Sequence, residues 1–295
     1  MNYMFVDGNW CLHRAWSAMG HQSGIPTVRV PRMLLNWFCD YALRLNVQAG
    51  AMCFDGNSNF RYNVYPAYKS NRNGDKIVDH GPSAGLTGSD AVYQSLEPTR
   101  ELFQACGLTV VQEELYEADD LLCSAGHVYG RLPGNKVWLV TRDKDMRGSI
   151  TKQVNMYIPE MSKQPEQRIT PELVGKKQGM TPLQWIDYQI LVGDEMDSVP
   201  PVARFTPSKA KALLKEHRSL GEYFKTDEGG AFYRKYHPDL HRNKQLVVMA
   251  KNAWPEGLNL EFKGKLTSLP VGVKSASFES LKRSLRISTG KTLFG

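Results

Sequence analysis

The chain has 295 residues, 41% hydrophobic and 23% charged, with 37 Lys and Arg against 30 Asp and Glu for a net charge of +7. This composition excludes a disordered or fibrous chain and allows one large α/β domain, alone or with a smaller partner. A modest basic excess fits a polyanionic partner without demanding one.

Tyr3 to Val6 reads as a short apolar strand that runs into Asp7-Gly8, with a helix around Trp10 to Ala18 behind it. Arg32 to Asn46 carries Met33, Leu34, Trp37, Phe38, Tyr41 and Leu45 at helical spacing. Ala51-Met52-Cys53-Phe54 is a second apolar strand, and it too ends in Asp-Gly, at Asp55-Gly56. Residues 57 to 96 form a long connection. Its first part, FRYNVYPAYKSNR, interleaves Arg61, Lys69 and Arg72 with Tyr62, Tyr65 and Tyr68. That pattern suits a nucleic-acid strand, whose phosphates meet cations while bases stack on rings, or a helix whose tyrosines pack downward. Its second part, Asn73 to Asp90, has four glycines and one proline; a loop of that length is functional or disordered.

Glu97 to Cys106 is predicted helical, and Leu108 to Val111 a strand. YEADDLL follows, with Ala118, Leu121, Leu122, Ala125 and Val128 at helical spacing. Glu117, Asp119 and Asp120 then occupy a helix's first turn, where carboxylates are ordinarily welcome. On a regular helix Glu117 and Asp120 share a flank and Asp119 lies on the other. If all three serve one site, the helix start is irregular or Asp119 reaches through water. Val137 to Val140 is a buried strand that delivers Asp143 and Asp145 in VTRDKD, and Val154 to Ile158 is expected at the sheet edge. Thr181-Pro182 starts a helix that Gly193 ends, followed by Asp194 and Asp197, either a turn cap or two more ligands. Thr206-Pro207 starts another bearing Lys209, Lys211 and Lys215, well placed for a phosphodiester backbone. Ala231 to Asn252 reads as helical with a break at Pro238, and the last thirty residues are basic.

No stretch approaches ~18 apolar residues, so no membrane span is expected. MNYMFVDGNW lacks the basic-then-apolar pattern of a signal peptide. The five cysteines (Cys11, Cys39, Cys53, Cys106, Cys123) are odd in number and lack CxxC spacing, so they read as reduced core thiols of a cytoplasmic protein.

Strands alternating with helices predict a mostly parallel sheet flanked by helices, with a ligand site outside the strands' carboxyl ends. Any one Asp-Gly is ordinary turn chemistry, but three strands ending in aspartates point to a shared site. Asp7, Asp55, Glu117, Asp119, Asp120, Asp143, Asp145, Asp194 and Asp197 make nine acids, none with a histidine beside it in the sequence. Hard oxygen donors select magnesium or manganese over zinc, and so many carboxylates stay ionised together only with divalent cations. Two such ions suit phosphodiester cleavage. A Walker-type GxxxxGK[ST] and a serine or cysteine nucleophile with a plausible histidine are both lacking.

With these residues assembled, the chain resembles the 5′-nuclease family: flap endonucleases, phage 5′→3′ exonucleases and the 5′-nuclease domain of bacterial DNA polymerase I. The similar blocks are VDGNW, FDG…FRYNVYPAYKSNR, YEADDLL, VTRDKDM and LVGDEMDSVPPV, in that order across residues 3 to 216. The resemblance implies one metal site from Asp7, Asp55, Glu117 and Asp119, and a second from Asp143, Asp145, Asp194 and Asp197, with Asp120 between or behind. It implies two Mg2+ ions, replaceable by Mn2+. It implies that Lys69 and Arg72 approach the scissile phosphate, that Arg61 and Tyr68 join them in contacting DNA, and that residues 57–90 form an arch for a 5′ single strand. It also implies a nuclease core over 1–192, arch region 57–96 included. A helical DNA-binding region would follow over 193–295, with a helix–turn–helix at about 199–216. One block departs from the family. Where the family has a glycine-rich turn that binds potassium, this chain reads PPVARFTPSKA, with Pro201, Arg204 and Thr206 at the glycine positions. Side chains there argue against a potassium-assisted grip, and Arg204, Lys209 and Lys211 would supply direct charge instead.

The reading that follows is a stand-alone, phage-like, monomeric metal-dependent 5′→3′ exonuclease and flap endonuclease. Its partners would be DNA 5′ ends, flaps or nicks, with RNA in hybrids as a further substrate. The alternatives are an acidic-pocket ribonuclease acting on RNA ends, a structure-specific DNA-binding protein with dead metal sites, and a small-molecule phosphatase, which leaves the basic 61–72 segment without a purpose.

Overall fold

The computed structural model describes residues 1–18, 26–72, 92–162 and 164–262; for residues 26–28 and 72 it describes the backbone alone. The 73–90 loop, and with it most of the expected arch, and the basic C-terminal thirty residues lie outside the described residues. The core is a six-stranded sheet of order β3-β2-β1-β4-β5-β6. Its strands are β1 (Asn2–Asp7), β2 (Ala49–Phe54), β3 (Thr109–Gln112), β4 (Lys136–Val140), β5 (Val154–Ile158) and β6 (Gln167–Ile169). The first five are parallel and β6 is antiparallel to β5. The strand expected at the edge, β5, is therefore interior, and the three-residue β6 closes that side.

Strand residues alternate between two apolar layers, as the two-residue period of extended chain requires. Met4, Val6, Met52, Phe54, Trp138 and Val140 face α1 (Gly8–Ala18), α2 (Pro26–Arg44) and α4 (Leu96–Ala105). Phe5, Ala51, Cys53, Val137 and Leu139 face α5 (Ala118–Gly130) and a segment carrying Trp254 and Leu260. Both faces of the central strands are covered, which is why they read as unbroken apolar runs. All five cysteines are buried free thiols within these layers.

A third apolar cluster lies apart from the sheet. It joins α7 (Pro182–Val192), α8 (Pro207–His217), α9 (Leu220–Tyr223) and α10 (Asp227–Val247) through Trp185, Leu191, Leu214, Tyr223 and Leu246, and takes in Tyr68. The boundary expected at 192/193 falls inside this cluster, because α7 packs with the helices after it. Helix α6 (Pro171–Gln178) precedes α7 and ends at Gly179. The helix expected over 231–252 with a break at Pro238 is α10 instead. It starts earlier, at Asp227, and continues through the proline. No helix among the described residues is long and apolar enough to cross a membrane.

Candidate active site

Strands β2, β1 and β4 are neighbours, so Asp7, Asp55 and Asp143 emerge side by side where the strand order turns outward from β1. Each is held by a backbone or side-chain donor. Asp7 closes β1 and starts α1: its Oδ1 accepts the Trp10 N–H (2.8 Å) and its Oδ2 the Thr141 hydroxyl (2.9 Å). Asp55 accepts from the Ala118 N–H (2.7 Å) and from Asn9 Nδ2 (2.9 Å). The following Gly56 is required by close approach rather than by turn conformation, since a Cβ there would lie 2.1 Å from the Glu113 carbonyl oxygen. Asp143 caps a 3-10 turn (Lys144–Ser149) by accepting the Asp145 N–H at 2.8 Å.

These three meet Glu117, Asp119, Asp145, Asp194 and Asp197 around one cavity of about 210 Å³, with Lys69 on its wall. Glu117 resolves the helix-geometry problem, because it is the N-cap of α5 in extended conformation (φ −81°, ψ 161°), outside the helical spacing. It therefore faces the cavity together with Asp119. The short segment α3 (Arg61–Val64) leads to Lys69. Its ammonium pairs with Glu117, its backbone N–H donates to the Asp197 carbonyl (2.9 Å), and its φ is +56°. Asp194 pairs with Lys144 at 3.0 Å.

Three sequence-expected roles are corrected here. Asp120 is fully buried and points away from the cavity, with both oxygens on the Arg61 guanidinium (2.6 and 2.8 Å) and a further bond from the Ala250 N–H (2.7 Å). It has no lone pair directed at an ion in the pit. Arg61 is equally buried and so does not reach DNA. It donates to the Leu246 carbonyl as well, tying α3, α5 and the end of α10 together. Tyr68, with 4% exposure, offers no ring face for a base; its hydroxyl lies 3.1 Å from Glu117 and 3.2 Å from Asp197. The side chain of Arg72 is outside the described residues. Arg204, Lys209 and Lys211 are exposed, on the turn before α8 and on its first turns. In that turn Ala203 (φ +49°) and Arg204 (φ +57°) adopt left-handed backbone despite their side chains.

Sequence reasoning missed Asn9, which sits inside the VDGNW block. Its Nδ2 bonds both Asp55 and the Tyr93 hydroxyl, and its Oδ1 accepts the Asp55 N–H (2.8 Å). It missed Thr141, two residues before Asp143, and it missed His13, which lines the rim edge-on to Tyr93. Partners that orient metal-binding carboxylates typically contribute 10- to 100-fold. Asn9→Ala is therefore expected to lower the cleavage rate by roughly that factor and the thermal midpoint by a few degrees, since the Asp55 N–H loses its acceptor; a wild-type rate would refute the role.

The carboxylates repel one another inside this pit. Burial, then the charges of Asp55 and Asp143, push the Asp7 carboxyl up to about 7. Burial and Asp143 push Asp145 to about 7 as well. Burial, then Asp143 and Asp7, raise Asp119 well above the usual range. Among the described residues no three His, Cys, Asp or Glu side chains already close around a point as a metal cage. That does not conflict with magnesium, which keeps several waters and takes only one or two carboxylates. The donors do fit a hard cation: Asp119 Oδ1 and Asp145 Oδ1 are buried cavity-lining oxygens without a hydrogen-bond partner.

A pH dependence follows. The folded-state carboxyl values of Asp7 and Asp145 lie above their unfolded 3.8, so the folded protein holds more protons than the unfolded one. Their contribution to stability is then most favourable in acid and worsens as pH rises toward 7. Divalent ions compete with those protons and offset the repulsion. The Tm gain from millimolar Mg2+ over EDTA is therefore expected to be larger at about pH 8 than at about pH 5.5, by several degrees at ~3 °C per kcal/mol for a chain this size. Equal gains at both would show that the pit does not hold the ion.

A mostly parallel sheet that gathers carboxylates from adjoining strand ends into one pit, with a lysine on its wall, defines an α/β protein with an acidic centre suited to divalent cations. Residues 2–179 match the family model for the 5′-3′ exonuclease N-terminal, resolvase-like domain, and the chain belongs to that family. Among its relatives, DNA polymerase I of Mycobacterium bovis is 30% identical over 226 residues, 74% of this chain and 23% of the polymerase. The thermostable DNA polymerase I of Thermus thermophilus is 30% identical over 228 residues, 75% of this chain and 25% of that protein. The chain thus spans about a quarter of the length of the curated relatives it matches. In fold it is similar to the flap endonuclease of bacteriophage T5, solved as a pseudo-enzyme-product complex with DNA and metal ions. The TM-score is 0.65 at 16% identity, covering 99% of this chain and 100% of that one.

Proposed function

We propose that the protein is a divalent-metal-dependent 5′→3′ exonuclease and structure-specific flap endonuclease that hydrolyses DNA phosphodiester bonds to leave 5′-phosphates. The carrying observation is the convergence of Asp7, Asp55 and Asp143, from three adjoining strands, on one pit shared with Glu117, Asp119, Asp145 and Lys69. Asp7, Asp55, Glu117 and Asp119 would surround one ion, and Asp143, Asp145, Asp194 and Asp197 a second, one or two of each set binding directly and the others through water. Two Mg2+ ions, or Mn2+ in their place, supply an activated water and charge stabilisation at the leaving oxygen. Lys69, fixed by its bond to the Asp197 carbonyl and paired with Glu117, places a cation where a phosphate would enter. The exposed Arg204, Lys209 and Lys211 meet duplex phosphates through charge rather than through a glycine-rich potassium site. The protein acts as a monomer in the cytoplasm.

The test is digestion of an end-labelled 5′ flap and a nicked duplex, with and without Mg2+, beside a single-stranded RNA. Cleavage of the DNA substrates only with the ion is expected. Equal products in EDTA, or turnover of RNA alone, would overturn the reading.

A further inference from the structure

A second and larger cavity, of about 890 Å³, runs along the other side of α5 from its carboxyl-terminal half to the start of α7. Asp145 and residues 148–154 also line it. Its wall is apolar, built from Leu183 and Ile186 of α7 with Val248 and Met249 after α10. Leu183 is 73% exposed, the most open of the large apolar side chains among the described residues. Together with Ile186 it gives the groove an apolar wall that an occupant with apolar side chains would cover.

The rim carries the opposite character. His127, Arg131, Lys152 and Lys251 line the groove, against Glu172 and Asp145. Burial, then the fields of Arg131 and Lys251, hold the His127 imidazole below its ordinary value, so two cations converge at that ring. The first turns of α6 and α7 also line the groove, and helix starts carry partial positive charge. A nucleic acid would satisfy the cations but leave the Leu183–Ile186 wall against phosphate and sugar. The chain's own undescribed end is a poor occupant, because residues 263–295 hold seven Lys and Arg and one Glu. The chain also leaves the described structure at Phe262, bonded to the Gln48 carbonyl at the start of β2.

We infer that this groove docks an acidic peptide segment of a partner protein, with apolar side chains against Leu183 and Ile186 and carboxylates on Arg131 and Lys251. Such recognition combines an apolar anchor with charge steering.

Fluorescence anisotropy with a fluorescein-labelled synthetic peptide of alternating glutamate and leucine tests this on the full chain, with flap cleavage and Tm as folding controls. Saturable binding at roughly 10 μM is expected, weakened about tenfold or more by Leu183→Asp and by Arg131→Glu with Lys251→Glu. A peptide with lysine in place of glutamate should bind that charge-reversed double variant and not the wild type. No saturable binding, or binding indifferent to both variants, overturns the inference. So does a single-stranded DNA of equal length that displaces the peptide and is insensitive to Leu183→Asp. Self-association in sedimentation velocity that Leu183→Asp abolishes would assign the groove to a second copy and equally overturn it.

Discussion

Asp119→Asn is expected to abolish magnesium-dependent cleavage and, in EDTA, to raise the thermal midpoint. Both effects come from one fact: Asp119 is buried, with Oδ1 unpartnered, among Asp143, Asp7, Glu117 and Asp55. Removing its charge relieves repulsion that folding must otherwise overcome, and the amide gains carboxylate neighbours able to accept from it. The same removal deletes an anionic ligand. Loss of a comparable electrostatic contribution costs ~10²–10³ in rate at other hydrolytic sites, and a metal ligand should cost at least the upper end of that range. A stabilising change that destroys activity is the signature of a site kept strained for function. Anisotropy on a flap substrate in Ca2+ should show affinity within about threefold of wild type, since under the proposed function the phosphate contacts would fall to the exposed Arg204, Lys209 and Lys211. A variant that is less stable in EDTA, or that still cuts, would mean Asp119 is a structural carboxylate and the pit lies elsewhere.

The convergence of Asp7, Asp55 and Asp143 was legible in the sequence because parallel sheets put their sites at strand carboxyl ends, and buried strands announce themselves as apolar runs. The direction of Asp120 was not legible. Two neighbouring acids at a helix start look alike in sequence, and what separates Asp119 from Asp120 is a guanidinium 59 residues away. Arg61 was misread for the same reason: its basic neighbours suggested an exposed strip, while a buried carboxylate and the Leu246 carbonyl drew it inward. Strand β6 went unseen because three residues of mixed character carry no period. The early start of α10 was hidden by Gly229-Gly230, which resembles a breaker. Gly229 is there for room, since a Cβ would lie 1.9 Å from the Tyr223 carbonyl oxygen. Pro238 leaves the Arg234 carbonyl without its helical donor, and the His237 ring nitrogen lies 3.4 Å from that oxygen.

The turn before α8 shows a different lesson. Side chains at Pro201, Arg204 and Thr206 were expected to restrict left-handed backbone; the chain adopts it at Arg204 all the same, and at Ala203 beside it. Such conformations cost ~1–2 kcal/mol per residue away from glycine. Here Phe205 N–H bonds the Val202 carbonyl, and Val202 is fully buried, so packing holds the turn in place.

Arg61→Ala is expected to destabilise the protein more than any other single change between α3 and Lys69. The guanidinium has no solvent exposure and makes two bonds to Asp120, one to the Leu246 carbonyl and a longer approach to Glu117 at 3.5 Å. Removing one member of a buried pair leaves the other charge uncompensated, which typically costs ~3–5 kcal/mol. At ~2–4 °C per kcal/mol, the midpoint should fall by about 10 °C. Asp120→Asn should lower the midpoint as well, because it leaves the buried Arg61 without its countercharge and sets an amide NH2 against the Arg61 and Glu117 N–H donors. The double variant Arg61→Met with Asp120→Leu should recover much of the loss, because two apolar groups of similar bulk replace two desolvated charges. Cleavage should fall with Arg61→Ala even below the melting transition, since Glu117 shares the backbone turn that Asp120 holds through the Glu117 N–H (3.2 Å). DNA affinity in Ca2+ should stay within about threefold of wild type, because Arg61 does not reach solvent. If instead the variant melts like wild type and loses DNA affinity in a salt-dependent way, Arg61 is a phosphate contact and the buried pair does not form in solution.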